Sequence, residues 1–197
     1  MNTTPILLVH GIDDTGIRFE RLRSFLLAKG FVTVTAMDIL PPDGSISIEK
    51  MASQVQEATQ ALQRATQSEK IDIVAYSMGA LATRYFIQRQ GGCSMVRRFI
   101  SLAAPHHGTY MAHFRGGAGC RQMRPGSSLL RDLNGDPDPW GDVAVHSFWS
   151  PLDLMIVPAF SSQLSQADNR TFMVMIHPWI ASDPRVIECI AQTLADD

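Results

Sequence analysis

The pentapeptide Ala75-Tyr76-Ser77-Met78-Gly79 lies between the strand-like run Ile71-Asp72-Ile73-Val74 and a helical run that opens at Met78. No other feature constrains the chain as much. A serine on a tight strand-to-helix turn holds its hydroxyl exposed at the end of a sheet, the arrangement of a nucleophile elbow. Small residues on either side let neighbouring backbone pass close. Ala75 and Gly79 are therefore read as motif positions, with Ala75 where the usual pattern has its first glycine. A serine that merely caps a helix would give the same string, so the rest of the chain has to separate the two readings.

Short apolar runs alternate with longer segments of helical period. Ile6–Val9, Val32–Ala36, Ile71–Ala75, Arg98–Leu102, Val143–Trp149 and Thr171–Ile176 read as strands. Phe19, Leu22, Phe25 and Leu26 mark one helical stripe, ended by Gly30. Ile48, Met51, Val55, Ala58 and Leu62 mark a second, and Met78, Leu81, Ala82, Tyr85 and Phe86 a third, closed by Gly91-Gly92. A last helix is expected from the N-cap and N1 pair Asp183-Pro184, with Ile187, Ile190 and Leu194 on its buried face. Such alternation predicts an α/β fold, a mostly parallel sheet with helices on both faces. At 197 residues, 1–197 are expected to form one domain. The glycine-rich stretch 104–126 and the turn residues 134–141 resist regular assignment, and loops of that kind often border a site.

In open parallel sheets chemistry gathers beyond the carboxyl ends of the strands. His10 and Gly11 follow the first predicted strand, Ser77 the third, Asp153 the Val143–Trp149 strand and His177 the last. A serine, a carboxylate and a histidine thus reach one rim in the order Ser…Asp…His. Of the histidines, only His177 lies after every candidate acid. His146 is read as a packed mid-strand residue, and His106, His107 and His113 as members of the glycine-rich loop. A serine hydroxyl is a poor nucleophile near neutrality, so an imidazole must take its proton and a carboxylate must orient that imidazole. The oxyanion then needs preorganised N–H donors, expected from the backbone of Met78 and of Ile12. His10-Gly11 is also readable as a simple strand-ending turn, and both readings can hold together.

The formal charge of −2 gives no reason to expect nucleic acid as a partner. Cys93, Cys120 and Cys189 are too widely spaced for a metal site or a disulfide framework, so no metal, no cofactor and free thiols in a reducing compartment are expected. The chain shows neither a signal-peptide pattern nor a membrane-spanning run, which leads to the expectation of a cytoplasmic monomer. Between Asp72 and Asp132 there are eight arginines and no acidic residue. These read either as separate solvated patches or as a basic face. In the second case Arg115, Arg121 and Arg124 would hold the rim peripherally against an anionic membrane.

Five motifs taken in order make the chain resemble a small, nearly lid-less bacterial lipase or esterase of the α/β-hydrolase superfamily. They are Val9-His10-Gly11-Ile12, Ala75–Gly79, Ala103-Ala104-Pro105-His106-His107-Gly108-Thr109, the acid loop Asp153–Pro158, and His177. The resemblance implies a minimal α/β-hydrolase of six core strands, lacking the usual first two. It also implies a serine carboxylester hydrolase that cleaves fatty-acyl esters of lipids through an acyl-enzyme. Alanine at position 75 is a variant of that group. The segment Gly117–Gly126 departs from the pattern. Ile12, Ile17, Met78, Met111, Phe114, Met155, Ile156, Pro178, Trp179 and Ile180 are expected to form an apolar wall for the acyl chain. An acyltransferase or thioesterase with the same three residues, and a non-catalytic binding module on the same fold, remain as alternatives.

Overall fold

The computed structural model describes residues 4–196. Six strands form one sheet: β1 Ile6–Val9, β2 Val34–Met37, β3 Ile71–Tyr76, β4 Val96–Leu102, β5 Ala144–Trp149 and β6 Asp168–Thr171. Their order is β2-β1-β3-β4-β5-β6, and every pairing is parallel. Successive side chains of a strand point to opposite faces, and the apolar runs obey this rule. Ile6 and Leu8 of β1, with Val74 of β3, join one core. Leu7 and Val9, with Ile73 and Ala75, join the other. A strand buried on both faces needs no polar alternation, which is why these segments read as near-continuous hydrophobic runs.

Helices α1 Glu20–Ala28 and α6 Pro184–Ala195 cover the first face through Leu22, Leu26, Ile187, Ile190 and Leu194. Helices α2 Ile48–Thr66 and α3 Ser77–Arg89 cover the second through Met51, Val55, Leu81 and Phe86. The Asp183 side chain accepts from the Arg185 amide and Pro184 occupies the first helical position, so α6 starts where its capping pair dictates. Gly30 and Gly91 take left-handed backbone at φ 92° and 79°, ending α1 and closing the segment after α3.

Two expectations change. β6 is Asp168–Thr171 and not Thr171–Ile176. It is an edge strand that pairs only with β5, so ladder hydrogen bonds hold a polar sequence there without a buried face. The apolar run that follows it, with Met173 and Met175 exposed, is irregular and leads to His177. Second, the irregular stretch 104–126 holds the short helix α4 Ala118–Gln122, and α5 Ser128–Asn134 follows it before the turn residues 134–141, both too short for a periodic signal.

Phe99, at the middle of β4, is fully buried with its ring 5.9 Å from that of Trp140. Phe99→Ala would leave a cavity between sheet and helices and should cost about 3–5 kcal/mol. Urea denaturation followed by tryptophan fluorescence measures this, and a loss below about 1 kcal/mol would contradict the packing described.

Candidate active site

β3 runs directly into α3, and the residue at the junction is Ser77, a non-glycine at φ 52°. Left-handed backbone costs an L-residue roughly 1–2 kcal/mol and persists only where the surroundings enforce it. The enforcement is visible. β3 is buried along its whole length and α3 is buried through most of its first two turns, so neither can swing to relax the turn. A Cβ on Gly79 would lie 1.9 Å from the His10 carbonyl oxygen, and one on Gly11 would meet Ser77 Cβ at 3.0 Å. These two glycines let the end of β1 pass against the start of α3. Ala75 needs no such allowance and its methyl packs in the core beside α3.

His177 Nε2 lies 3.0 Å from Ser77 Oγ, and His177 Nδ1 lies 2.6 Å from Asp153 Oδ2. A carboxylate only accepts, so Nδ1–H donates to Asp153 and Nε2 is left as the acceptor of the serine proton. The other carboxylate oxygen, Oδ1, accepts from the amides of Met155 at 2.8 Å and Ile156 at 3.1 Å, which fixes the carboxylate plane. Ser150 Oγ accepts from the amides of Leu152 and Val174, tying the acid-bearing loop to the one that leads to His177. The ring of Tyr76 packs against His177 with centroids 5.0 Å apart. Ser77, Asp153 and His177 are all nearly buried.

The amides of Ile12 and Met78 have no acceptor among the described residues. That of Met78 belongs to the first turn of α3, whose N–H groups find no intrahelical partner. The loop carrying Ile12 is fixed by the buried His10, whose Nε2 accepts from the Ile39 amide at 2.8 Å and whose Nδ1 lies 2.7 Å from the Gly11 carbonyl oxygen. Asp13 follows in left-handed backbone at φ 55°, its amide donating to the Pro42 carbonyl at 2.9 Å.

Ser77 opens into a cavity of about 540 Å³. Ile12, Met111, Met155, Ile156 and Pro178 line it as the sequence predicts, and the side chain of Met78 packs in the core behind it. Ile17, Phe114, Trp179 and Ile180 stand outside the lining. Ile17, Phe114 and Trp179 each sit in a 3₁₀ turn that buries a neighbour instead, and Ile180 is buried in the core. Phe19 goes into the core while Ile17 faces solvent, and Ala112 goes in while Phe114 faces out. Ile180 packs under α1 and α6, leaving Trp179 exposed. The lining also holds residues not expected there from sequence, Tyr76, Cys120, Met123, Met175, Ile176 and the charged Asp13, Asp14, Arg18 and Arg115. Met175 and Ile176 were hidden by their assignment to a strand. The Asp13–Arg18 segment had a signal, since it directly follows Ile12. Arg115 had none.

Most arginines of the acid-free stretch are engaged within the protein, while Arg121 and Arg131 are exposed. Arg84 is buried, donating to the carbonyls of His106 and Leu133 and to Asn134. Arg89 pairs with Asp132 and Asp136, Arg97 with Asp72, and Arg115 with Asp13. Arg124 donates to the carbonyls of Ala112 and Arg115, while Arg121 is exposed. The carboxylates lie outside the stretch in sequence but beside it in space.

Comparison with known proteins places the chain in a family. The family model described as palmitoyl protein thioesterase matches residues 5–136. A mouse protein named lysosomal thioesterase PPT2 is 29% identical over 109 residues. That match takes in 54% of this chain and 35% of the mouse protein, so the chain spans about a third of that relative's length. Among solved structures, the mature form of Bacillus licheniformis lipase BlEst2 superimposes with a TM-score of 0.83 at 14% identity, over 98% of this chain and 92% of that one. Aspergillus fumigatus lipase B gives 0.81 at 16% identity over 99% of this chain and 53% of its own. A monoacylglycerol lipase from Paleococcus ferrophilus gives 0.70 at 14% identity, over 98% of this chain and 95% of that one. The fold is that of the α/β-hydrolase lipases.

The remaining histidines serve the frame. His106 is fully buried with Nε2 2.8 Å from Ser101 Oγ, His113 stacks on Tyr110, and His146 lies 3.3 Å from Asp168. Burial, with Arg84 beside it, holds the His106 imidazole well below its ordinary 6.5. As pH falls through about 6.5 the unfolded chain takes up a proton there that the folded chain refuses, so stability falls with pH. Burial lowers His107 and His146 in the same sense. Melting temperatures should therefore drop from about pH 7.5 to pH 5, and less steeply in His106→Gln. A variant as steep as the wild type would show that His106 is not the source.

Proposed function

The chain belongs to the palmitoyl protein thioesterase family, and on that premise we propose that it is a serine hydrolase that cleaves fatty-acyl esters of lipids. The observation that carries this reading is the hydrogen-bonded series Ser77–His177–Asp153, whose Ser77 and His177 line a cavity with largely apolar walls. His177 Nε2 takes the Ser77 proton as Oγ attacks the acyl carbonyl, and Asp153 holds the imidazolium that forms. The amides of Ile12 and Met78 receive the oxyanion. Collapse breaks the bond to the leaving atom, which takes the proton back from His177. Water, deprotonated by the same imidazole, then releases the acid and restores Ser77. Thioesters form the second substrate class. The family's description and the name of the mouse relative favour them, and the acyl-enzyme is common to both.

Contact with a lipid surface is the second part of the reading. Among the described residues no helix is long and apolar enough to cross a membrane. Leu154, Met155, Met175 and Ile176 line the cavity and are exposed, and they form an apolar border to its mouth. Arg115 and Arg124 are engaged within the protein, so the border, more than the basic residues, supports this contact.

Ser77→Ala should fold normally, lose fluorophosphonate labelling, and lower ester hydrolysis by roughly a thousandfold or more. Near-wild-type turnover by that variant would end the serine hydrolase reading. Comparing kcat/KM for an oxygen ester and a thioester of the same acyl chain decides between the substrate classes. Co-sedimentation should show similar binding to neutral and anionic vesicles, little affected by salt and weakened in Leu154→Asp. Binding confined to anionic vesicles and abolished by salt would return the contact to the arginines.

A further inference from the structure

The side chains that carry fixed charge in the cavity lining are Asp13, Asp14, Arg18 and Arg115, and two ion pairs, Asp13 with Arg115 and Asp14 with Arg18, gather them on the segment after β1 as a charged wall. Three lie in the segment that follows β1, and Arg115 reaches that segment from the far-off 110–126 loop by pairing with Asp13. The sheet order sets this wall apart from the others. β1 flanks β3 on one side, while β5 and β6, which precede Asp153 and His177, lie on the other. Ser77 stands between them at the end of β3. The acid and base loops give the opposite wall its apolar character, through Leu154, Met155, Ile156 and Met175.

An ester placed at Ser77 therefore straddles two unlike surfaces. Laying an acyl chain along the charged wall would strip the remaining water from two partly exposed ion pairs and put no polar partner in its place. The acyl chain belongs on the apolar wall, and the leaving group faces the charged one. The charges there are matched one to one, Asp13 with Arg115 and Asp14 with Arg18. A purely anionic headgroup would meet a carboxylate beside each guanidinium. A headgroup with both signs can exchange partners, phosphate to guanidinium and ammonium to carboxylate, with no charge left over. Both pairs are partly exposed to solvent, so the exchange costs little.

Resting on the hydrolase reading above, the geometry points to esters whose alcohol part bears a zwitterionic phosphodiester-ammonium headgroup as the preferred substrate class. Asp13, Asp14, Arg18 and Arg115 are its specificity-determining residues. The test uses three water-soluble hexanoyl esters: of glycerol, of glycerophosphocholine, and of glycerophosphoglycerol, which is anionic. All are assayed as monomers, so that a lipid surface plays no part. The phosphocholine ester should exceed both others in kcat/KM by about tenfold at low ionic strength, the gap narrowing as salt rises. In Arg18→Gln and in Arg115→Gln the ratio of phosphocholine to glycerol ester should fall toward one. Equal kcat/KM for the phosphocholine and glycerol esters in the wild type would overturn the inference and leave the hydrolase reading intact. So would an anionic ester that matches the phosphocholine ester, or variants that slow all three alike with the ratio preserved. Turnover of none of them, with Ser77 unlabelled by fluorophosphonate, would take down both.

Discussion

The whole rim hangs on the close approach between the last residues of β1 and the first turn of α3. Gly79 lies where any side chain would collide with the His10 carbonyl, and Gly11 lies against Ser77. That contact fixes Ser77 in left-handed backbone, strain that the buried strand and helix on either side do not let it relieve. The same contact places the loop that carries Ile12. His10 continues the chain of constraint by accepting from the Ile39 amide, which ties the β1 loop to the end of β2. Ser77, the amides of Ile12 and Met78 and the segment that carries Asp13 are thus positioned by one piece of backbone geometry.

Asp153 and His177 are held by a second, separate device. Asp153 spends one carboxylate oxygen on two amides of its own loop and leaves the other for His177. Ser150 binds the acid loop to the segment before His177, and Thr109 binds it to the glycine-rich loop through Met155 and Val157. These are short-range polar contacts among buried or half-buried groups, where an unmade hydrogen bond is costly. They give precise placement to loops that have no ladder of their own. Arg84 does the same for the other side of the glycine-rich loop, a buried guanidinium whose donors are spread over carbonyls of two segments.

How much of this could be read beforehand depended on how local the cause was. Five of the six strands and four helices were legible because burial on both faces, or on one helical face, writes itself as a period in the sequence. β6 was misplaced because an edge strand needs no buried face. Its polar residues Asp168–Thr171 gave no signal, while the apolar residues after it gave a false one. Helices α4 and α5 were too short to show a period. Within the site, Ser77, Asp153 and His177 were singled out by chain order and strand ends, whereas the cavity lining was only half anticipated. Ile17, Phe114, Trp179 and Ile180 differ from Ile12 and Met111 in the direction a single turn gives them, which composition does not encode.

What the sequence determined by itself was the parallel α/β frame and the position of the serine elbow within it. Both follow from backbone rules that act within a few residues, such as side-chain alternation, helical period and the need for small residues at a tight turn. Tertiary structure alone decided which charges meet. Asp13 and Arg115 are separated by 102 positions, and the arginines of an acid-free stretch find carboxylates that lie outside it. Ion pairing depends on distance in space, and distance in space is fixed only once the sheet order has brought the loops of β1, β4 and β5 to the same rim. The division of the cavity into a charged wall and an apolar one is a property of that order.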